Sequence, residues 1–114
     1  MIIAKIFRKL FFPNSDLVQD INVKEFDQLK SEGAVILDVR TQREYEAGSI
    51  KGAILNDVKR SDFKQNLTGL DKEKQYLVYC RSGIRSLTAC SLMAEEGFKK
   101  LYNLKGGYIA WSKS

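Results

Sequence analysis

The chain has 114 residues, of which 44% are hydrophobic and 29% are charged, and this balance predicts a single globular domain rather than a disordered or multidomain protein. Its formal net charge of +5 does not indicate nucleic-acid binding, because Lys5, Arg8 and Lys9 contribute much of it and no basic stripe interleaved with aromatic residues follows. The sequence has no histidine, which excludes Cys-His and Ser-His catalytic pairs and most zinc sites. We therefore expect no metal and no cofactor.

Residues 1–18 are predicted to form an arm ahead of the domain, which we place at residues 19–114. In residues 1–12 the apolar positions recur on one face of a helix, with three basic residues on the opposite face, and Pro13 stops the pattern. Three roles stay open: packing on the domain or a second subunit, contact with an anionic membrane surface, and an uncleaved export or anchoring signal. Because no small-residue cleavage site follows, we expect a cytoplasmic protein, with membrane-surface contact through residues 1–12 as an open alternative.

Two capping boxes mark the starts of helices. Asn22 is followed three residues later by Glu25, and Thr41 by Glu44, which is the spacing at which each side chain can bond the other's backbone. Each helix should end near the next glycine along the chain. Between the two helices, residues 34–39 form a continuous apolar run, which is typical of a strand buried on both faces in a parallel sheet.

Strands and helices continue to alternate to the end of the chain. The remaining predicted elements are a strand at Ala53–Leu55, a helix carrying Phe63 and Leu67, a strand at Tyr76–Tyr79, a helix at Ser86–Glu96, a strand at Leu101–Leu104 and a terminal helical turn at Tyr108–Ser112. This alternation predicts an α/β fold with a central, mostly parallel sheet flanked by helices on both faces.

Cys80 follows a predicted strand and opens a short loop, CRSGIRS, that runs into a helix. Open α/β sheets bind ligands at the carboxyl ends of their strands, and the N–H groups of such a loop and of a helix N-terminus can converge on an anion. Gly83 permits a tight turn, while Arg81 and Arg85 add permanent positive charge. These features all favour the thiolate, so we predict that Cys80 is the catalytic nucleophile. The predicted substrate-binding residues are Arg81, Ser82, Gly83, Ile84, Arg85 and Ser86.

This interpretation requires the sulfur of Cys80 to be both anionic and reachable from solvent. The alternative is a buried structural thiol in a plain connecting loop. For Cys90 that alternative is the favoured one, because this residue lies on the apolar face of a predicted helix. A role for Cys90 as a resolving thiol is less favoured.

The loop at residues 80–86 resembles the active loop of rhodanese-like domains. The surrounding motifs are similar to those of the same family: DVR at 38–40, Glu44-Tyr45, GSIKGA at 48–53, and the closing Gly106, Gly107 and Trp111. The likeness covers about residues 20–113. Ser49 and Lys51 depart from it, since the family usually has histidine and proline there. The resemblance implies a rhodanese-like α/β fold in which Asp38, Arg40 and Glu44 help fix the architecture near the site.

The resemblance also implies sulfur transfer. In the family, a cysteine takes sulfane sulfur from a donor such as thiosulfate, holds it as a persulfide and passes it to a thiol or to cyanide. On this chain Cys80 would carry the sulfur, the loop amides would cradle it, and Arg81, Arg85 or both would bind the sulfonate of the donor. The implied partners are a small anionic sulfur donor and a thiol acceptor, which includes a protein thiol.

Two other functions stay open. A persulfide relay or protein-docking module would use the same cysteine with little turnover of small molecules. A cysteine-dependent phosphatase or arsenate reductase is less favoured, because phosphatase loops place five residues between cysteine and arginine, whereas four residues separate Cys80 from Arg85. A shorter loop favours a smaller group, such as one sulfur atom.

Overall fold

The computed structural model describes residue 10 and residues 12–114 of the chain. Its centre is a five-stranded sheet in which every neighbouring pair of strands is parallel. The strands are β1 (Val18–Ile21), β2 (Val35–Asp38), β3 (Ile54–Leu55), β4 (Gln75–Tyr79) and β5 (Lys100–Leu104). Their order across the sheet is β1-β5-β4-β2-β3, so β4 lies in the middle.

In the part of the chain that the structure describes, five α-helices connect or follow the strands. They are α1 (Val23–Ser31), α2 (Gln42–Ala47), α3 (Phe63–Leu67), α4 (Arg85–Glu95) and α5 (Gly107–Ser112). Both predicted capping boxes are present: the Asn22 side chain accepts from the Glu25 N–H while Glu25 accepts from the Asn22 N–H, and Thr41 and Glu44 repeat the arrangement. These reciprocal bonds satisfy N–H groups that a helix start would otherwise leave unpaired.

The sheet separates two hydrophobic clusters. One cluster contains Phe63 and Leu67 of α3 together with Ala89, Cys90 and Met93 of α4. The other contains Phe26 of α1 and packs against residues of α2 and α5. Successive residues of β4 alternate between the two clusters, because neighbouring side chains of a strand point to opposite faces. The predicted α/β fold with helices on both faces of a parallel sheet is therefore confirmed.

The sequence interpretation missed strand β1. Its four residues, VQDI, are buried only at their ends, and the two middle side chains are polar and exposed. A short edge strand with this composition gives little periodic signal. The predicted amphipathic helix of the arm covers residues 1–12, of which residues 1–9 and 11 lie outside the described residues, so its role stays a prediction. No helix in the described part of the chain is long and apolar enough to span a membrane.

Candidate active site

Cys80 lies at the carboxyl end of β4, the central strand of the sheet. The chain then turns through residues 81–84 and enters α4 at Arg85. Gly83 has a φ of 103°, a conformation that side chains with a Cβ rarely adopt. This tight turn brings the backbone of the loop back over the sulfur.

Polar groups of the loop contact the Cys80 sulfur directly. The Gly83 N–H donates to Sγ at 3.1 Å, and the Ser86 hydroxyl lies 3.3 Å from Sγ. Burial alone would raise the pKa of Cys80, but hydrogen bonds from the Ser86 side chain and from the N–H groups of Ser86, Gly83 and Ser82 outweigh it, so the pKa lies below its ordinary value. The loop is therefore built to stabilise an anionic sulfur.

The structure buries Cys80, which contradicts the expectation of a thiol that is reachable from solvent. Only 1% of Cys80 is exposed. The physical reason is that the loop closes over the residue and contacts Sγ through Gly83 and Ser86. Cys90 is also buried, on the inner face of α4.

Helix α5 holds the backbone carbonyl groups of the loop. The Tyr108 N–H donates to the Cys80 carbonyl oxygen at 2.8 Å, and the Ile109 N–H donates to the Arg81 carbonyl oxygen at 3.1 Å. A Cβ added at Gly107 would lie 2.5 Å from the Arg81 oxygen and 2.6 Å from the Cys80 oxygen. Position 107 must therefore be glycine for α5 to approach this closely.

The two arginines of the loop have different environments. Arg85 forms two hydrogen bonds with Glu44 of α2, from Nη1 at 2.7 Å and from Nη2 at 2.9 Å. The Arg85 guanidinium lowers the pKa of Glu44 to about 2. Arg81 is exposed, and within residues 12–114 it forms no ion pair with an acidic side chain. The positive charge of Arg85 is thus already neutralised, whereas that of Arg81 is available to an anion.

A cavity of about 260 Å³ lies between α2, α5 and the start of the loop. Residues that line it include Arg40, Glu44, Gly48, Arg81, Tyr108 and Ile109. The guanidinium of Arg40 lies 4.5 Å from the centre of the Tyr108 ring. The cavity therefore combines an available cation at Arg81 with aromatic and backbone surfaces.

Buried hydrogen bonds connect Asp38, Arg40 and Tyr79 next to the site. Arg40 donates to Asp38 through Nε at 3.0 Å and through Nη2 at 2.7 Å, and it also donates to the Gly48 carbonyl oxygen at 2.7 Å. Tyr79 donates to Asp38 Oδ2 at 2.6 Å and accepts from the Ile50 N–H at 3.1 Å. Asp38 and Arg40 thus join β2 to β4 and to the segment after α2, and neither contacts the Cys80 sulfur in this structure.

A second polar chain runs from the sulfur to the edge of the sheet. Ser86 Oγ donates to Asn103 Oδ1 at 2.5 Å, and Asn103 Nδ2 donates to Asp20 Oδ1 at 3.0 Å and to the Gly83 carbonyl oxygen at 3.3 Å. Ser86 and Asn103 are 0% and 3% exposed. The environment of Cys80 therefore extends through α4 and β5 to β1.

Comparison with protein families identifies this arrangement. The family model of the rhodanese-like domain matches residues 22–114, which includes the loop, the strand before it and the closing glycines. The chain belongs to the rhodanese-like domain family.

Other members of the family resemble the chain over most of its length. Thiosulfate sulfurtransferase GlpE of Coxiella burnetii is 36% identical over 91 residues, which cover 79% of this chain and 82% of that protein. The crystal structure of a rhodanese-like domain protein from Staphylococcus aureus superposes with a TM-score of 0.73 at 29% identity, over 82% of this chain and 90% of that one. A tRNA uridine(34) hydroxylase of Acinetobacter baylyi is 40% identical over 99 residues, which cover 80% of this chain but only 31% of that protein.

The interpretation of this rhodanese-like domain from sequence named the loop but missed Asn103 and Asp20. One signal was present: Asn103 is an amide between Tyr102 and Leu104 in a strand, a position where asparagine is unfavourable unless its side chain is hydrogen-bonded. Its bonding partners could not be inferred, because Asp20 belongs to the strand that was not predicted.

Proposed function

We propose that this rhodanese-like domain is a sulfurtransferase that moves sulfane sulfur from an anionic donor, such as thiosulfate, to a thiol or to cyanide. The observation that carries the proposal is the convergence of the Gly83 N–H and the Ser86 hydroxyl on Cys80 Sγ. Together with the lowered pKa of Cys80, it supports a thiolate nucleophile that needs no histidine. The family membership of the chain and the names of its relatives support the same chemistry.

In the first half-reaction, the Cys80 thiolate attacks the outer sulfur of thiosulfate. A bond forms between Sγ and the outer sulfur, the bond between that sulfur and the sulfonate sulfur breaks, and its electron pair leaves with sulfite. The charge moves from Sγ to the outer sulfur, and the loop N–H groups stabilise it there. In the second half-reaction, a thiolate or cyanide attacks the outer sulfur and the electron pair returns to Sγ.

Binding the sulfonate of the donor requires a positively charged side chain that is not already in an ion pair. Arg81 meets this requirement, since it is exposed and lines the cavity beside the loop, whereas Arg85 is held by Glu44. We therefore assign the sulfonate of the donor to Arg81 and a positioning role to Arg85. Because Cys80 is 1% exposed, the proposal also requires the loop to open when the donor binds.

Mass spectrometry of the protein after treatment with thiosulfate tests the proposal. Wild-type protein and the Cys90→Ala variant should both gain one sulfur atom on Cys80 and lose it again when cyanide is added. The Cys80→Ser variant should gain none and should show no transfer activity, while its circular dichroism stays that of the wild type. Sulfur found on Cys90, or none on either cysteine, would refute the proposal.

A further inference from the structure

The orientation of the Asn103 side-chain amide is determined by its neighbours. Its Nδ2 faces the Asp20 carboxylate and the Gly83 carbonyl, and both of these groups can only accept hydrogen bonds. The other end of the amide, Oδ1, is therefore turned toward Ser86, where it lies 2.5 Å from Oγ. A carbonyl oxygen has no proton to give, so the hydrogen in this short contact belongs to Ser86.

Ser86 cannot serve both of its neighbours as a donor, because its hydroxyl carries one proton. When that proton points to Asn103 Oδ1, the 3.3 Å contact between Ser86 and Cys80 must use the proton of the thiol. When Cys80 is a thiolate, its sulfur can only accept, so a Ser86 proton that turns to Sγ is lost to Asn103 Oδ1. Two acceptors thus compete for one proton in a site where Cys80, Ser86 and Asn103 are each at most 3% exposed.

We propose that Asn103 is a positioning residue that acts on Cys80 through Ser86, by competing with the Cys80 sulfur for the hydroxyl proton of Ser86. The inference rests on the proposed function for its catalytic meaning. In the sulfur transfer described above, Sγ is anionic before the donor reacts and carries no net charge once the outer sulfur is bound to it. Ser86 therefore donates to Sγ in the first state and to Asn103 in the second, so Asn103 favours the persulfide over the free thiolate.

Other charges also act on the Cys80 sulfur and must be kept constant in a test. The charged and titratable side chains packed around the loop are Arg81 of the loop itself, Arg85 of α4, Glu44 of α2, Tyr108 of α5, Asp20 of β1, and the Asp38–Arg40–Tyr79 network of β2 and β4. Replacing Asn103 by leucine keeps every one of these charges, but it also removes the hydrogen bonds from Nδ2 to Asp20 and to the Gly83 carbonyl oxygen. The same two bonds are lost in a Ser86→Ala background, so the comparison between the two backgrounds isolates the contact with Ser86.

A double-mutant comparison of the Cys80 pKa tests the inference without any sulfur donor. The pKa is measured from the ultraviolet absorbance of the thiolate in a Cys90→Ala background, with the Cys80→Ser protein as the blank. Asn103→Leu should lower the pKa by about one unit, a tenfold change in the ratio of thiolate to thiol, because Ser86 is then free to donate to sulfur. In a Ser86→Ala background the same Asn103→Leu change should leave the pKa unchanged.

Asn56→Leu is the matched control, since Asn56 is another buried amide, but it bonds Phe63 and Asn66 rather than Ser86. It should leave the pKa of Cys80 at the wild-type value. If Asn103→Leu shifts the pKa equally with and without Ser86, or if Asn56→Leu produces the same shift, the inference is wrong. If Asn103→Leu does not fold, Asn103→Ala is compared in the same two backgrounds.

The persulfide itself provides a second measurement. At a fixed ratio of thiosulfate to sulfite, we compare the ratio of Cys80 persulfide to free Cys80 thiolate in the variant and in the wild type. Asn103→Leu should lower this ratio about tenfold, and only when Ser86 is present. If the wild-type protein takes up no sulfur at all, the proposed function fails, while the pKa comparison still decides whether Asn103 competes for the proton.

Discussion

Glu44 holds the guanidinium of Arg85 in a two-bonded ion pair that joins the start of α2 to the start of α4. The two residues are 41 positions apart in the chain, and both side chains are about one quarter exposed. Glu44 also accepts from the Thr41 N–H in its capping box. One carboxylate therefore caps the start of α2 and holds an arginine of the active loop.

Replacement of Glu44 by glutamine should weaken the fold in a pH-dependent way. The pKa of Glu44 is about 2 in the folded protein, below its ordinary value of 4.5, so the ion pair contributes its full stability above pH 4.5. That contribution is lost as the pH falls from 4.5 toward 2. Near neutral pH the free energy of unfolding should drop by about 1 kcal/mol, after allowance for solvent screening. Urea denaturation of both proteins across this pH range measures the difference.

The exposed pair between Arg60 and Asp62 provides the control for that experiment, since those side chains are 67% and 42% exposed. Asp62→Asn should not change the unfolding free energy measurably. A Glu44→Gln difference that stays constant from neutral pH to pH 2 would show that the ion pair is not its cause.

Replacement of Arg81 by alanine should weaken the binding of an anionic donor. Arg81 is exposed and unpaired within residues 12–114, so its removal deprives thiosulfate of a charge without disturbing an existing ion pair. We expect KM for thiosulfate to rise about tenfold with little change in kcat, because the same charge interacts with the bound donor and with the transition state. Steady-state kinetics with thiosulfate and with an uncharged sulfane donor provide the test. Equal losses for the two donors would contradict the assignment of the sulfonate to Arg81.

Replacement of Gly107 by alanine should disrupt the contact between α5 and the active loop. The added Cβ would lie 2.5 Å from the Arg81 carbonyl oxygen, and position 107 already has a positive φ of 59°. Strain and overpacking together should cost about 2–4 kcal/mol, measured by thermal or urea unfolding. Gly33→Ala is the matched control, since Gly33 also has a positive φ but nothing lies within 4 Å of an added Cβ. It should cost about 1 kcal/mol; equal costs would contradict the importance of the close approach.

Replacement of Tyr79 by phenylalanine should destabilise the buried network between β2 and β4. The change removes a donor from Asp38 and an acceptor from the Ile50 N–H, and both of those partners are buried. We expect a loss of about 1–3 kcal/mol in the free energy of unfolding. Tyr45→Phe removes a half-buried hydroxyl bonded to the Ala53 carbonyl oxygen, which water can partly replace. A loss as large in Tyr45→Phe as in Tyr79→Phe would contradict the explanation from burial.

Much of the fold could be predicted from local patterns. The spacing of Asn22 with Glu25 and of Thr41 with Glu44 is a short-range signal, and both helices begin where it places them. The apolar run of β2 is buried as expected, and the helix predicted to start at Ser86 starts one residue earlier. Strand β1 was missed because its two middle residues are polar, and it becomes a strand only by pairing with β5.

The sequence by itself determined that Cys80 follows a strand, opens a glycine-containing loop and precedes a helix, because these are relations between neighbouring residues. It could not determine which arginine is free to bind an anion, because Glu44 and Arg85 are 41 positions apart in the chain and pair only in the folded protein. Nor could it determine that Cys80 is 1% exposed or that Asn103 and Asp20 extend its hydrogen bonding. The tertiary structure decided these points, because burial and side-chain pairing depend on which strands and helices the folded sheet brings together.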